Sequence, residues 1–106
     1  MIRCMCLVQE GQAPDNKREV LVEKLNAFTQ ASFNEDADVY WHAIPQGSGY
    51  TAAKPSTSSI VSVTAPKPLS QAERIPLLNE ICELWMNETG CSINEVVASM
   101  SDPRTV

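Results

Sequence analysis

Apolar residues alternate through the start of the chain, with Ile2, Cys4, Cys6 and Val8 on one side and Met5 and Leu7 on the other; Arg3 is the exception. Apolar content on both sides predicts a strand buried on two faces, ended at Glu10-Gly11. Pro14 suits the first turn of a helix, and Val20, Leu21, Leu25, Phe28 and Ser32 follow at helical spacing, which predicts a helix over 14–33. After the polar run 34–38, Val39 to Ile44 has the β-branched and aromatic content of a strand, stopped at Pro45. Residues 46–58 have turn and linker composition and are expected to form a flexible loop. A third strand is predicted over Ser59 to Ala65. Ser70 and Glu73 form a capping box, and Ile75, Leu78, Ile81, Cys82 and Trp85 continue at helical spacing to Gly90, a left-handed terminator. Pro76 removes a helical hydrogen bond, so the first turn is expected to kink or the regular helix to start later. Ser92 and Glu95 repeat the capping pattern on a short turn, and Val96 to Met100 forms the last strand.

The two halves match without a gap. A shift of 57 positions (78 − 21 = 57) places Leu21 on Leu78, Leu25 on Cys82, Phe28 on Trp85 and Val39 on Val96. Two β-α-β units, 1–45 and 59–103 joined by loop 46–58, predict a single α+β domain over 1–106, a four-stranded sheet with both helices on one face. Helix crossovers make the strands parallel within each unit, and the units then pair antiparallel. On the parity set by Arg3, the uncovered face carries Met5, Leu7, Tyr40, His42, Ile44, Ile60, Ser62, Thr64, Val97 and Ser99. That face is too apolar for water, which predicts a homo-oligomer, most simply a homotrimer with three faces around an axis.

Composition narrows the possible partners. With 13 acidic against 8 basic residues, a formal charge of -5 and no Lys/Arg cluster, the chain is not expected to bind nucleic acid or an anionic membrane. An anionic ligand would need cations placed locally in a pocket. No apolar run reaches a membrane span and no signal peptide is evident, so a cytoplasmic location and reduced thiols at Cys4, Cys6, Cys82 and Cys91 are expected.

In this order and spacing, Val8-Gln-Glu-Gly11, Val63-Thr64, Lys67-Pro68, Ser70, Cys82-Glu83 and Glu88-Thr-Gly90-Cys-Ser92-Ile-Asn-Glu95-Val96 resemble the tautomerase superfamily. The likeness is to its malonate semialdehyde decarboxylase and cis-3-chloroacrylic acid dehalogenase branches and covers nearly the whole chain. It implies the tautomerase, or MIF-like, fold, a trimeric assembly, and cofactor-independent chemistry on a small carboxylate-bearing enol or keto compound. The family's mature chain starts with a proline whose amine is the acid or base; here Ile2 occupies that position. A bulky residue disfavours removal of Met1, so the free amine is expected on Met1, up to about 3.5 Å from the family's reacting atom. The resemblance implies catalytic roles for Met1, Asp38 and Lys67 and substrate contacts from Ile2 and Tyr40. Lys67 stands on the first of two family arginines, and Leu69 on the second. Without the proline, a silent member that binds a small anion or serves as a structural subunit is the alternative.

Each of these residues also has a plainer role. Asp is common in acidic helix-to-strand connections such as the one holding Asp38. Lys67 is a point charge that cannot grip a carboxylate through two parallel bonds. His42 is expected to pack at the subunit face, and Trp41 and Trp85 to anchor the core. Cys4 and Cys6 share one side of a strand, a spacing that suits zinc poorly, and no metal site is expected. Tyr50 and Lys54 lie on the loop, from which Tyr50 is expected to close over the ligand.

Overall fold

The computed structural model describes residues 1–9, 15–45, 50–51, 54–55 and 58–103. Glu10, Gly11 and Pro14 lie outside them. Strands β1 (Ile2–Gln9) and β2 (Ala37–Ile44) flank helix α1 (Asp15–Phe33). A two-residue pairing of β3 (Tyr50–Thr51) with β4 (Lys54–Pro55) falls within the stretch expected to be a loop. The second unit is β5 (Ser59–Thr64), α2 (Gln71–Thr89), a 3-10 turn (Ile93–Glu95) and β6 (Val96–Ser101). The four long strands lie in the order β2-β1-β5-β6, parallel within each unit and antiparallel at the β1-β5 seam, as the repeat requires.

The helices are set by local chemistry at their ends. The Glu73 amide donates to the Ser70 hydroxyl at 3.2 Å, and the Ser70 amide donates to the Glu73 carboxylate at 3.2 Å. This closed box lets α2 begin at Gln71 and run through Pro76, correcting the expectation of a later start. Proline there removes a single amide from the ladder. Gly90, at φ 74, ends the helix with its amide on the Met86 carbonyl. Asn34, at φ 57, ends α1, its amide reaching the Gln30 carbonyl at 3.0 Å.

The core lies between the sheet and the helices. Ile2, Cys4, Cys6 and Val8 of β1 and Val61 and Val63 of β5 meet Leu21, Leu25 and Phe28 of α1 and Ile81 and Trp85 of α2. Burying each large side chain contributes roughly 1.5–3 kcal/mol. Thr29 joins them with no exposure because its hydroxyl donates to the Asn26 carbonyl. Ile75, expected to face inward, is half exposed. Trp41 is also only half-buried: it packs on Trp85 at 5.9 Å between ring centres, and the Arg18 guanidinium lies 5.3 Å from its ring.

The opposite face has no cover within the protomer. The register places residues in rows across it: His42, Leu7, Ile60 and Val97, then Tyr40, Met5, Ser62 and Ser99. None of the eight is buried, so the predicted parity holds. No described helix is long and apolar enough to cross a membrane.

Candidate functional site

The parallel pairing of β1 with β2 puts Ile2 opposite Ala37 and Arg3 opposite Asp38. Its antiparallel partner β5 runs the other way, with Cys4 opposite Val63, so β5 ends beside the start of β1. Thr64 in turn pairs with Ser101 at the end of β6. The register therefore gathers Met1, Arg3, Asp38 and the segment leading to Lys67 at one end of the sheet.

Within that end, the expected site residues separate. Ile2 is 1% exposed and belongs to the core; its amide donates to the Asp36 carbonyl at 2.7 Å. The Met1 amine is paired with the Glu35 carboxylate at 3.1 Å. Glu35 is held there by a well-tied connection, in which the Ala37 amide donates to Asn26 and the Gln30 side-chain amide donates to the Asp36 carboxylate. Asp38 accepts the Tyr40 hydroxyl at 2.7 Å, a bond that pushes the Tyr40 phenol above its ordinary value because ionisation would break it and set two anions together. Lys67 is exposed between Pro66 and Pro68. Tyr50 pairs with Pro55, and its side chain lies outside what is described.

A cation that the motif comparison passes over stands at the centre of this end. Arg3 is exposed, with its guanidinium 5.1 Å from the centre of the Tyr40 ring. It lines an open pocket of about 650 Å3 together with Met5, Ser62 and Thr64 of the sheet. Ser101, Asp102 and Pro103 form the far wall. That wall is fixed by Arg74, which pairs with Asp102 and donates to the carbonyls of Leu69 at 3.0 Å and Met100 at 3.3 Å. The Leu69 amide also donates to Asp102, at 3.2 Å. Arg3 carries a visible sequence signal, a lone charge on the apolar open face two residues from the chain start. Its partners come from strand pairing, which the local pattern does not encode.

Other chemistry is muted. Burial pushes the Cys4 thiol to about 11 and the Cys6 thiol to about 12, and all four cysteines are free. Among the described residues, no three His, Cys, Asp or Glu side chains form a group able to hold a metal ion.

Solved structures share this fold. A native protein designated Ps01740 matches with a TM-score of 0.88 at 23% identity, over 97% of this chain and 95% of its own. The chain has the tautomerase fold. N1, a member of the cis-3-chloroacrylic acid dehalogenase family, matches at 0.85 with 9% identity, over 95% of this chain and 74% of its own. A fused 4-OT in a wild-type symmetric trimer matches at 0.81 with 11% identity, over 95% of this chain and 85% of its own. At these identities the likeness is one of fold, in keeping with the β-α-β repeat. Neither the protein-family models nor the curated proteins give a match to the sequence.

Proposed function

We propose that this chain is a diverged member of the tautomerase superfamily that acts, as a homotrimer, on a small carboxylate-bearing enol or keto compound. One observation carries the reading: strand pairing sets Asp38, hydrogen-bonded to Tyr40, opposite Arg3 at the start of β1, next to Met1. Asp38 is the proton acceptor and Tyr40 holds its carboxylate in place. Met1 takes part as a base once it is released from Glu35, and Lys67 adds positive charge at the same end. The apolar rows of the open face support the trimer, and trimers occur among the fused 4-OT structures of this fold.

The Met1–Glu35 ion pair favours a second reading, in which the site binds a small carboxylate without turning it over. The amine donates to Glu35 in that pair and must leave it before it can act on a ligand. The experiment that separates the two follows the ketonisation of phenylenolpyruvate by ultraviolet absorbance, before and after selective acetylation of the N-terminal amine. Turnover that falls on acetylation supports Met1 as the base, and unchanged turnover removes Met1 from the mechanism. A folded trimer with no turnover above buffer leaves the binding reading.

A further inference from the structure

Arg74 stands on the first turn of α2, where the helix dipole disfavours a cation, and its charge serves contacts across the fold. Its guanidinium pairs with Asp102, donates to the Leu69 carbonyl from two nitrogens at 3.0 and 3.2 Å, and donates to the Met100 carbonyl at 3.3 Å. Asp102 in turn accepts the Leu69 amide at 3.2 Å, so both backbone groups of Leu69 are tied to the same ion pair. The Arg74 side chain is 28% exposed, which sets it apart from a solvated surface cation.

The consequence falls on Lys67. Between Ala65 and Leu69 the chain reads Pro66-Lys67-Pro68, and the two prolines leave the Lys67 amide as the one backbone donor of that stretch. Prolines fix their own φ but cannot fix the stretch to the sheet. Its ends do that: the Ala65 amide donates to the Ser101 carbonyl at 2.8 Å, and Leu69, at the edge of the core, is held by Arg74 and Asp102. Three residues between fixed ends, two of them stiff, leave Lys67 a narrow range of directions. Among the described residues its ammonium is in no ion pair. The Glu73 carboxyl, held below its ordinary value by the Ser70 backbone and hydroxyl and only then by Lys67, is turned onto that amide and hydroxyl at 3.2 and 3.0 Å. Lys67 thus keeps a positive charge for a ligand.

We propose that Arg74, acting through Asp102 and Leu69, is a positioning residue that aims Lys67 at the carboxylate of the ligand. The role rests on the proposed function for the part Lys67 takes in the site. Its contacts lie within one protomer, among α2, the end of β6 and the connection from β5, so it does not depend on the open face being free.

Calorimetric titration of the full chain with 3,3-dimethyl-2-oxobutanoate, a 2-oxo acid with no α-proton, reads binding without turnover in wild type, Lys67→Ala, Arg74→Gln and the double variant. Lys67→Ala is expected to weaken binding about fivefold, the effect of losing an exposed ion pair. Arg74→Gln weakens it about threefold, and the double variant stays within about 1.5-fold of Lys67→Ala, because Arg74 acts only through Lys67. Arg74→Lys recovers little, since an ammonium does not span both carbonyls and Asp102 as the planar guanidinium does. A purely structural loss lowers Tm alike with and without Lys67 and does not produce this dependence. Should Arg74→Gln fail to fold, Asp102→Asn takes its place in the cycle: it keeps an acceptor for the Leu69 amide, removes the ion pair, and weakens binding about twofold only where Lys67 is present. Wild-type affinity in a folded Arg74→Gln, or losses that multiply to about fifteenfold in the double variant, overturns the inference. So does a wild type that does not bind, or a Lys67→Ala that binds as wild type. Failure of the two readings is distinguishable: binding with the expected coupling in a chain that does not turn over phenylenolpyruvate overturns the reaction and leaves the role of Arg74 standing, while turnover with binding indifferent to Arg74 overturns that role alone.

Discussion

Replacing Ile2 with proline, and letting Met1 be removed, places a secondary amine where the family carries its own. The structural cost follows from what Ile2 does. Its side chain is 1% exposed, and proline has one carbon fewer, a loss of about 0.8 kcal/mol. Its amide donates to the Asp36 carbonyl at 2.7 Å, and an N-terminal proline, a secondary amine, retains one N–H for that bond, so this term nearly cancels. The Met1–Glu35 pair is lost, but its partners are 62% and 39% exposed, which reduces its worth to about a few tenths of a kcal/mol. Proline is tolerated at the first position of a strand. The total is about 1–1.5 kcal/mol, a fall in Tm of about 5–10 °C for a domain of this size. Against that, the amine moves by up to about 3.5 Å toward its position in the family. Because misplacement of even about 1 Å can cost about 100-fold in rate, turnover of phenylenolpyruvate is expected to rise by at least about 100-fold. Mass spectrometry verifies removal of Met1, a thermal melt the fold, and absorbance the rate. A processed, folded variant no faster than wild type would falsify the claim that the rest of the site is competent.

Three further outcomes follow from the packing and the helix ends. Gly90→Ala meets nothing within 4 Å of the added carbon, so its cost is the left-handed backbone alone, about 1–2 kcal/mol by chemical denaturation; an unchanged midpoint would show that φ 74 is not maintained in solution. Ser70→Ala is expected to lose about 1 kcal/mol at neutral pH with the cap. The backbone and hydroxyl of Ser70, and more weakly Lys67, hold the Glu73 carboxyl below its ordinary 4.5. That stabilisation is present above pH 4.5 and is lost as the pH falls through the lowered folded value, so the difference between wild type and variant shrinks in acid; a gap that widens in acid contradicts the assignment. Cys4 and Cys6, pushed to about 11 and about 12, are expected to resist iodoacetamide at pH 8 until the chain unfolds, and peptide mapping that finds them labelled as fast as Cys91 would refute their burial.

Much of the fold is legible because it rests on short-range regularities. The two-residue period of β1 identified the side that became the core, and Cys4 and Cys6 have no exposure. Ser70 with Glu73, and Gly90, marked both ends of α2. What the local pattern missed depends on contacts between distant parts of the chain. β2 begins at Ala37, two residues before its β-branched run, because Ala37 pairs with Ile2 and its amide is taken by Asn26. Trp41 sits at the sheet margin under Arg18, and no periodicity separates a core tryptophan from one that is half covered. The site follows the same division. The register brought Asp38 to the start of β1, but the pairing of Met1 with Glu35 spans 34 positions, and the setting of Arg3 over Tyr40 arises only when β1 and β2 lie side by side.

The central claim, that Asp38 handles the proton of a carboxylate-bearing enol, is tested most directly by the steady-state kinetics of Asp38→Asn with phenylenolpyruvate. The substitution keeps the size of the side chain and an acceptor for the Tyr40 hydroxyl, while removing the basic carboxylate. The account predicts a fall in kcat of about 100- to 10,000-fold with a smaller change in KM, since the amide keeps the shape of the side chain. A variant with wild-type kcat would contradict it.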